Sequence, residues 1–393
     1  MRAQPWYLLV SALVACGSPS ASTDAAIDGA SLDARADAAI PTWPFPLPPT
    51  FPVPRLPPGQ VLTAELAELG RHLFYDKRLS GNGTQACASC HLQAKAFSDG
   101  VVAAQGSTGD QLRRNSMALV NVAYNPTQTW ANTHLATLEM QALVPLQGKS
   151  PIEIGITGHE QEILARFAAD SKYPALFAAA FPGQPEPIDF PNIVRAISAF
   201  ERRMISGNSR YDQYRGGNLA ALNASEQRGA EIFNSEELQC HHCHGGFNFT
   251  NAVDSAGIDQ VTPRFFNNGL YNVNNGQYPV TDQGLWEITF VDADRGRFRP
   301  PTLRNIGVTA PYMHDGSMAT LEEVIAMYER GGRLTTTGPN AGDGRDNPNK
   351  NGFVSGFDLT PQERLDLVAF LHALTDDEFL HNPALADPFA ANQ

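Results

Sequence analysis

Cys87-Ala-Ser-Cys90-His91 and Cys240-His-His-Cys243-His244 decide how this chain is read, because both have the form C-x-x-C-H. Two thiols at this spacing add to the two vinyl groups of one haem, and the histidine that follows swings under the ring as proximal iron ligand. A single match could be coincidence or a redox dithiol. Two matches leave only Cys16 outside the pattern. Zinc fits poorly, since pairs about 150 residues apart, each followed directly by His, match no ribbon or finger spacing. The expectation is two covalently bound c-type haems, one on Cys87 and Cys90 with His91, the other on Cys240 and Cys243 with His244.

The sequence around these motifs reads as helix. Leu62, Leu66, Leu69 and Leu73 recur at helical spacing before the first, and Ile193, Ile197, Phe200 and Met204 form a second apolar stripe. Thr320-Leu-Glu-Glu323 and Thr360-Pro-Gln-Glu363 have the form of capping boxes, the latter with proline at the first helical position, and Gly331-Gly332 closes the helix opened by the former. Strand signals are few. The expected fold is mainly α: two cytochrome c-like haem domains with long irregular loops, a peroxidatic one over 59–215 and a second over 216–393.

The amino terminus places the chain outside the cytoplasm. Arg2 precedes the apolar stretch Trp6 to Ala15, which has the length of a signal-peptide core, and Leu13-Val-Ala-Cys16 is similar to a bacterial lipoprotein cleavage box. That reading makes 1–16 a signal peptide and Cys16 the lipidated first residue, on the periplasmic side of the outer membrane. The other reading is an ordinary signal peptide with an incidental cysteine. Gly17 to Ile40, rich in Ala, Ser and Asp without an aromatic residue, reads as a flexible tether. Pro41 to Pro58 is dense in proline and should run extended, with Trp43, Phe45 and Phe51 as docking points or as parts of a plain linker.

Composition bounds the rest. The 393 residues carry a formal net charge of −13, which gives no footprint for nucleic acid. No apolar run approaches the ~20 residues that span a bilayer. The tether's four aspartates against one arginine leave most of the acidity on the folded part.

Further blocks in order resemble the bacterial di-haem cytochrome c peroxidase and MauG superfamily: Gly70-Arg-His-Leu-Phe-Tyr-Asp-Lys-Arg-Leu-Ser80, Ala96-Phe-Ser-Asp-Gly100, Arg114-Asn115, Leu138 to Pro145, Pro301-Thr-Leu-Arg-Asn305 and Ala310-Pro-Tyr-Met-His-Asp-Gly316. The resemblance covers roughly residues 60 to 380. Trp43 with the proline-rich entry, Phe247-Asn-Phe249, Gly331-Gly-Arg333 and Asn340-Ala-Gly-Asp-Gly344 look most like the MbnH branch. That branch oxidises a tryptophan of a copper-binding partner, MbnP, toward kynurenine.

The resemblance implies site residues and roles. The first haem is the peroxide site and the second stores an oxidising equivalent. The second haem's distal ligand is Met in ordinary di-haem peroxidases and Tyr in MauG-like proteins. It falls fourteen residues after the histidine of the His-Asp-Gly block, and Tyr328 stands there. On a helix starting near Thr320, Leu321, Val324 and Tyr328 share a face. A shift of one residue would make Met327 the ligand, and without the family offset Tyr328 reads as a core tyrosine. A phenolate favours ferric and higher iron far more than a thioether does, which opens a bis-Fe(IV) state.

Glu153 resembles the distal acid–base group for peroxide cleavage, and Gln141 and Pro145 the other distal-pocket residues. Trp130 stands where the family has a tryptophan between the haems, although Trp130-Ala-Asn-Thr-His134 departs from its usual Trp-Asp-Gly-Arg. No histidine lies between Leu92 and Arg114, so the first haem should be open to peroxide without prior reduction; the nearby His134 reads as structural. Calcium ligands map onto the Asn115 side chain and the carbonyls of Thr309 and Pro311, an oxygen set that suits Ca²⁺.

The function these features imply is peroxide-driven oxidation of a partner residue. The alternatives are a cytochrome c peroxidase fed by a small cytochrome, and a passive electron carrier.

Overall fold

A computed structural model describes residues 43–258 and 264–390. The signal peptide, the tether and the lipidation candidate Cys16 lie outside these residues.

Among the described residues twelve α-helices carry the fold: α1 (Ala64–Tyr75), α2 (Leu138–Gln147), α3 (Glu160–Ala168), α4 (Tyr173–Ala180), α5 (Phe190–Arg202), α6 (Arg210–Arg215), α7 (Ala224–Phe233), α8 (His241–His244), α9 (Trp286–Thr289), α10 (Leu321–Arg330), α11 (Pro361–His372) and α12 (Asp377–His381). One two-stranded antiparallel ribbon, Leu334–Thr335 with Gly342–Asp343, is the only sheet among the described residues. The remainder is short 3₁₀ turns and irregular loop.

The helices begin where the sequence supplies caps. Thr63 Oγ1 accepts from Leu66 N at the start of α1, and Asp189 accepts from Asn192 N at the start of α5. Both apolar stripes run past their helices. Leu62 precedes α1 and Met204 follows α5, yet both are buried in the same core. Thr360 and Glu363 form a complete capping box on α11. The expected box at α10 is only half made: Thr320 Oγ1 accepts from Glu323 N, but Glu323 Oε2 accepts from Ala319 N at 2.7 Å rather than from Thr320. α10 ends at Gly331, whose φ of 77° only glycine adopts without strain.

Two apolar cores organise the chain. The first gathers α1, α4 and α5 with Phe74, Phe97, Phe167 and Phe200; the second gathers α7, α10 and α11 with Phe233, Phe249, Leu321 and Phe370. Each core borrows from afar, since Phe379 and Leu380 of α12 join the first and Ala131 joins the second.

The two cores repeat one device. α1 crosses α5 at Gly70, and α7 crosses α11 at Gly229. A Cβ on Gly70 would stand 1.8 Å from Ala196 O, and one on Gly229 would stand 2.0 Å from Asp366 O. The local sequences match, Gly70-Arg-His-Leu-Phe74 and Gly229-Ala-Glu-Ile-Phe233. Each crossing sits just before a C-x-x-C-H motif and fixes the approach of the chain to it. Gly70→Ala should therefore destabilise the holoprotein by about 3 kcal/mol, since neither backbone can retreat from a packed crossing. Thermal unfolding of the two-haem protein measures it.

The proline-rich segment is docked rather than free over its described part. Phe51 is buried against Phe247 (4.7 Å between centroids), Tyr124 Oη donates to Pro52 O (2.7 Å), and Arg55 pairs with Asp254 (3.0 Å). Trp43 and Phe45 pack on the first core.

Candidate functional site

The first motif occupies a 3₁₀ turn, Cys87–Ser89, and the second forms α8. All four thiols are free, with no disulfide between them. Burial pushes them up, Cys90 and Cys243 to about 11, Cys240 to about 12 and Cys87 further.

Both histidines of the motifs are half-buried and oriented by backbone carbonyls. His91 Nδ1 donates to Phe97 O at 2.6 Å, and His244 Nδ1 is shared between Pro301 O at 3.2 Å and Phe249 O at 3.3 Å. Each arrangement leaves Nε2 with its lone pair, the form an iron needs. Desolvation lowers both imidazoles, His244 to about 4, so they stay neutral.

Above His244 lies a mostly apolar cavity of about 250 Å³ whose wall includes Cys240, Cys243, His244, Trp130 and Tyr328. Tyr328 is raised to about 12, first by burial, and its Oη accepts from Asn268 Nδ2 at 3.4 Å. Met327, the neighbouring alternative, packs in the second core and is absent from the wall. Leu321 and Val324 line the cavity with Tyr328, as their shared helical face requires. Met313 also reaches the wall, its Sδ 3.5 Å from Asn268 Nδ2.

Whether this cavity fits a haem is answered by Arg299. Its guanidinium is buried (4% exposed) and among the described residues has only neutral partners: Thr129 O at 3.1 Å, Asn125 Oδ1 at 3.2 Å and Met117 Sδ at 3.5 Å. Burial lowers it to about 10. A buried cation without a carboxylate, on the wall of a cavity holding two thiols and a neutral imidazole, fits an anionic ligand such as a haem propionate. Arg299→Leu should lower the haem-to-protein ratio from two toward one, measured on the denatured protein as pyridine haemochrome.

At the first site α2 presents Gln141 and Pro145 one turn apart. The segment after it folds back, Ile154 N donating to Pro145 O at 2.9 Å, which brings Glu153 to the same place. Glu153 is half-buried, desolvation raises its pKa, and it lies close enough to Cys87 and Cys90 to raise both thiols. A buried ion pair holds α2 in position, Glu139 to Arg202 of α5 at 2.5 and 2.9 Å. Glu201, next to Arg202, is 6% exposed, has an unpartnered Oε2 and is raised to about 8 by burial. His134 is exposed.

One extended segment connects the two sites. The Met117 carbonyl faces His91, while Asn115 to Ala118 line the second cavity. Trp130 hangs on this segment, its Nε1 donating to Asn115 O at 2.8 Å. Asn115, Thr309 and Pro311 all line that cavity, and the Asn115 Nδ2 donates to Val101 O (2.8 Å), leaving Oδ1 available. Sequence reasoning missed Arg299, Asn268 and the buried His314, which stacks on Phe298 at 3.7 Å. All three lie in irregular loop, where no periodicity marks a side chain as inward.

The profile of the di-haem cytochrome c peroxidase family matches residues 64–220. The chain is 34% identical over 374 residues to cytochrome-c peroxidase IdrP1 of Denitromonas iodatirespirans, covering 90% of this chain and 92% of that one. It is 31% identical to methylamine utilization protein MauG of Methylorubrum extorquens, covering 93% and 94%. Among solved structures, a MauG-like protein associated with microbial copper homeostasis superposes with a TM-score of 0.86 at 48% identity, covering 88% of this chain and all of that one.

Proposed function

Because the chain belongs to the di-haem cytochrome c peroxidase and MauG family, whose members are haem oxidoreductases, we propose that it uses hydrogen peroxide to oxidise a tryptophan of a protein partner toward kynurenine. The partner is an MbnP-like copper-binding protein, a choice supported by the solved relative's association with copper homeostasis. Cys87, Cys90 and His91 would hold the first haem, and Cys240, Cys243, His244 and Tyr328 the second. When bound, the haems supply the redox chemistry, reducing peroxide at the first site and holding oxidising equivalents across both.

The chain's own residues do the rest. Glu153 takes the proton from the near oxygen of peroxide and delivers it to the far one. Gln141 and Pro145 shape the pocket around it. Trp130, anchored at Nε1, gives an aromatic route between the sites and toward a partner too large to enter. Calcium held by the Asn115 side chain and the carbonyls of Thr309 and Pro311 stiffens the segment between the sites. Lipidation at Cys16 keeps the enzyme on the periplasmic side of the outer membrane.

The observation that carries this reading is the position of the Tyr328 hydroxyl in the cavity of Cys240, Cys243 and His244, with Met327 turned into the core. Mass spectrometry of the copper-binding partner after incubation with enzyme and peroxide tests it. The expected result is a mass change on one tryptophan. The second reading, a peroxidase fed by a small cytochrome, is favoured by the IdrP1 relative's name. It predicts oxidation of reduced cytochrome with an unmodified partner.

A further inference from the structure

The second haem-binding motif carries two histidines that covalent attachment does not use. His241 and His242 fill the two variable positions between Cys240 and Cys243, and both turn their Nε2 atoms toward Glu236. His242 Nε2 lies 3.1 Å from Glu236 Oε2, and His241 Nε2 lies 3.4 Å from Oε1. One ligand atom from each of the three residues falls within 4.8 Å of the other two.

The backbone brings them together by a specific path. After α7 the chain turns at Ser235, whose Oγ donates to Ile232 O (2.8 Å), and Gln239 adopts a left-handed φ of 58° that folds α8 back beneath Glu236. The rings are held as well. His242 stacks on Phe353 at 4.3 Å and 11°, and its carbonyl accepts from Asn251 Nδ2 at 2.7 Å. His241 Nδ1 is buried without a partner among the described residues, while its Nε2 faces Glu236.

We propose that Glu236, His241 and His242 form a binding site for a divalent transition-metal ion on the solvent side of the second haem-attachment helix. In a tetrahedral site with bonds of ~2.0–2.1 Å the ligand atoms are roughly 3.3 Å apart. The two carboxylate-to-imidazole separations, each to a different Glu236 oxygen, lie near that value, and with all three ligand atoms within 4.8 Å of one another an ion would draw them together by side-chain movement. Two imidazoles and one carboxylate select borderline ions such as Zn²⁺ and Cu²⁺, with Cu²⁺ held more tightly, and disfavour Ca²⁺ and Mg²⁺, which want oxygen alone. Three protein ligands leave a fourth position for water, and the exposure of Glu236 (77% of its side chain) makes the site accessible to exchange.

The test uses the full holoprotein, free of any affinity tag, dialysed against chelator and then titrated calorimetrically with Zn²⁺, with Cu²⁺ followed by electron paramagnetic resonance. Wild type should take up one equivalent of Zn²⁺, raise its unfolding temperature on doing so, and show nitrogen hyperfine structure on Cu²⁺. Glu236→Gln should weaken Zn²⁺ binding by roughly a hundredfold, at the upper end of losses seen even for outer partners of metal ligands. His241→Asn/His242→Asn should abolish it, while the pyridine haemochrome of both variants stays at two haems. Absence of stoichiometric uptake by wild type, or affinity unchanged in Glu236→Gln and in the double variant, would overturn the proposal. Calcium added in excess should leave the Zn²⁺ isotherm unmoved; displacement by calcium would also overturn it.

Discussion

Glu153→Gln should slow peroxide consumption by the holoprotein by about 10³-fold, within the range of a lost acid–base group, and leave both haems attached. Cleavage of the O–O bond needs one group to accept a proton at the near oxygen and return it at the far one. Gln keeps the shape and the hydrogen bonding but cannot exchange a proton. The structure brings Glu153 beside the first motif through the hydrogen bond between Ile154 N and Pro145 O, and desolvation raises its pKa. The carboxylate is the form that accepts the proton, so activity is lost as pH falls through that raised pKa. The loss begins at higher pH than an exposed glutamate would give. Stopped-flow mixing with peroxide across pH measures both effects, and Glu153→Asp should keep the acidic limb that Glu153→Gln removes.

Tyr328→Met should raise the reduction potential of the second haem by roughly a few tenths of a volt, within the ≈0.8 V that axial ligands command. It should abolish partner oxidation while leaving peroxide reduction by a reduced cytochrome intact. A phenolate donates charge to iron and favours its oxidised forms; a thioether does the reverse. Free of metal, the phenol is raised to about 12 by burial, so iron must displace its proton on ligation. Spectroelectrochemical titration reads the potential, and tandem mass spectrometry of the partner reads the loss of product. A Met327→Leu control should change neither, because Met327 packs in the core.

The chain declared some of this openly and hid the rest for physical reasons. Covalent attachment needs two thiols and a histidine within five consecutive residues, so both motifs can be read directly. Helical geometry put Tyr328 on one face of α10 with Leu321 and Val324, but only the family's fourteen-residue offset singled it out as a ligand rather than a core tyrosine. Arg299 could not, because it sits in loop and its inward direction comes from Thr129 and Asn125, about 170 residues away. The paired helix crossings were legible in the repeated Gly-x-x-aliphatic-Phe of α1 and α7, a signal the apolar stripes alone do not contain. The stripes also overstated helix length. Leu62 and Met204 are buried from irregular chain just outside their helices, where burial follows tertiary position and not helical period. The half-made box at Thr320 has a similar origin, since Glu323 finds the amide of Ala319 nearer than that of its own cap.

On the proposed function the two sites share the oxidising equivalents delivered by peroxide. Near-infrared absorption of the ferric holoprotein, recorded before and after one equivalent of hydrogen peroxide, tests it most directly. A charge-resonance band is expected to appear in wild type, persist until partner is added and be missing from Tyr328→Met. A wild-type spectrum with no such band, from a ferric protein that shows only six-coordinate low-spin haem, would contradict it.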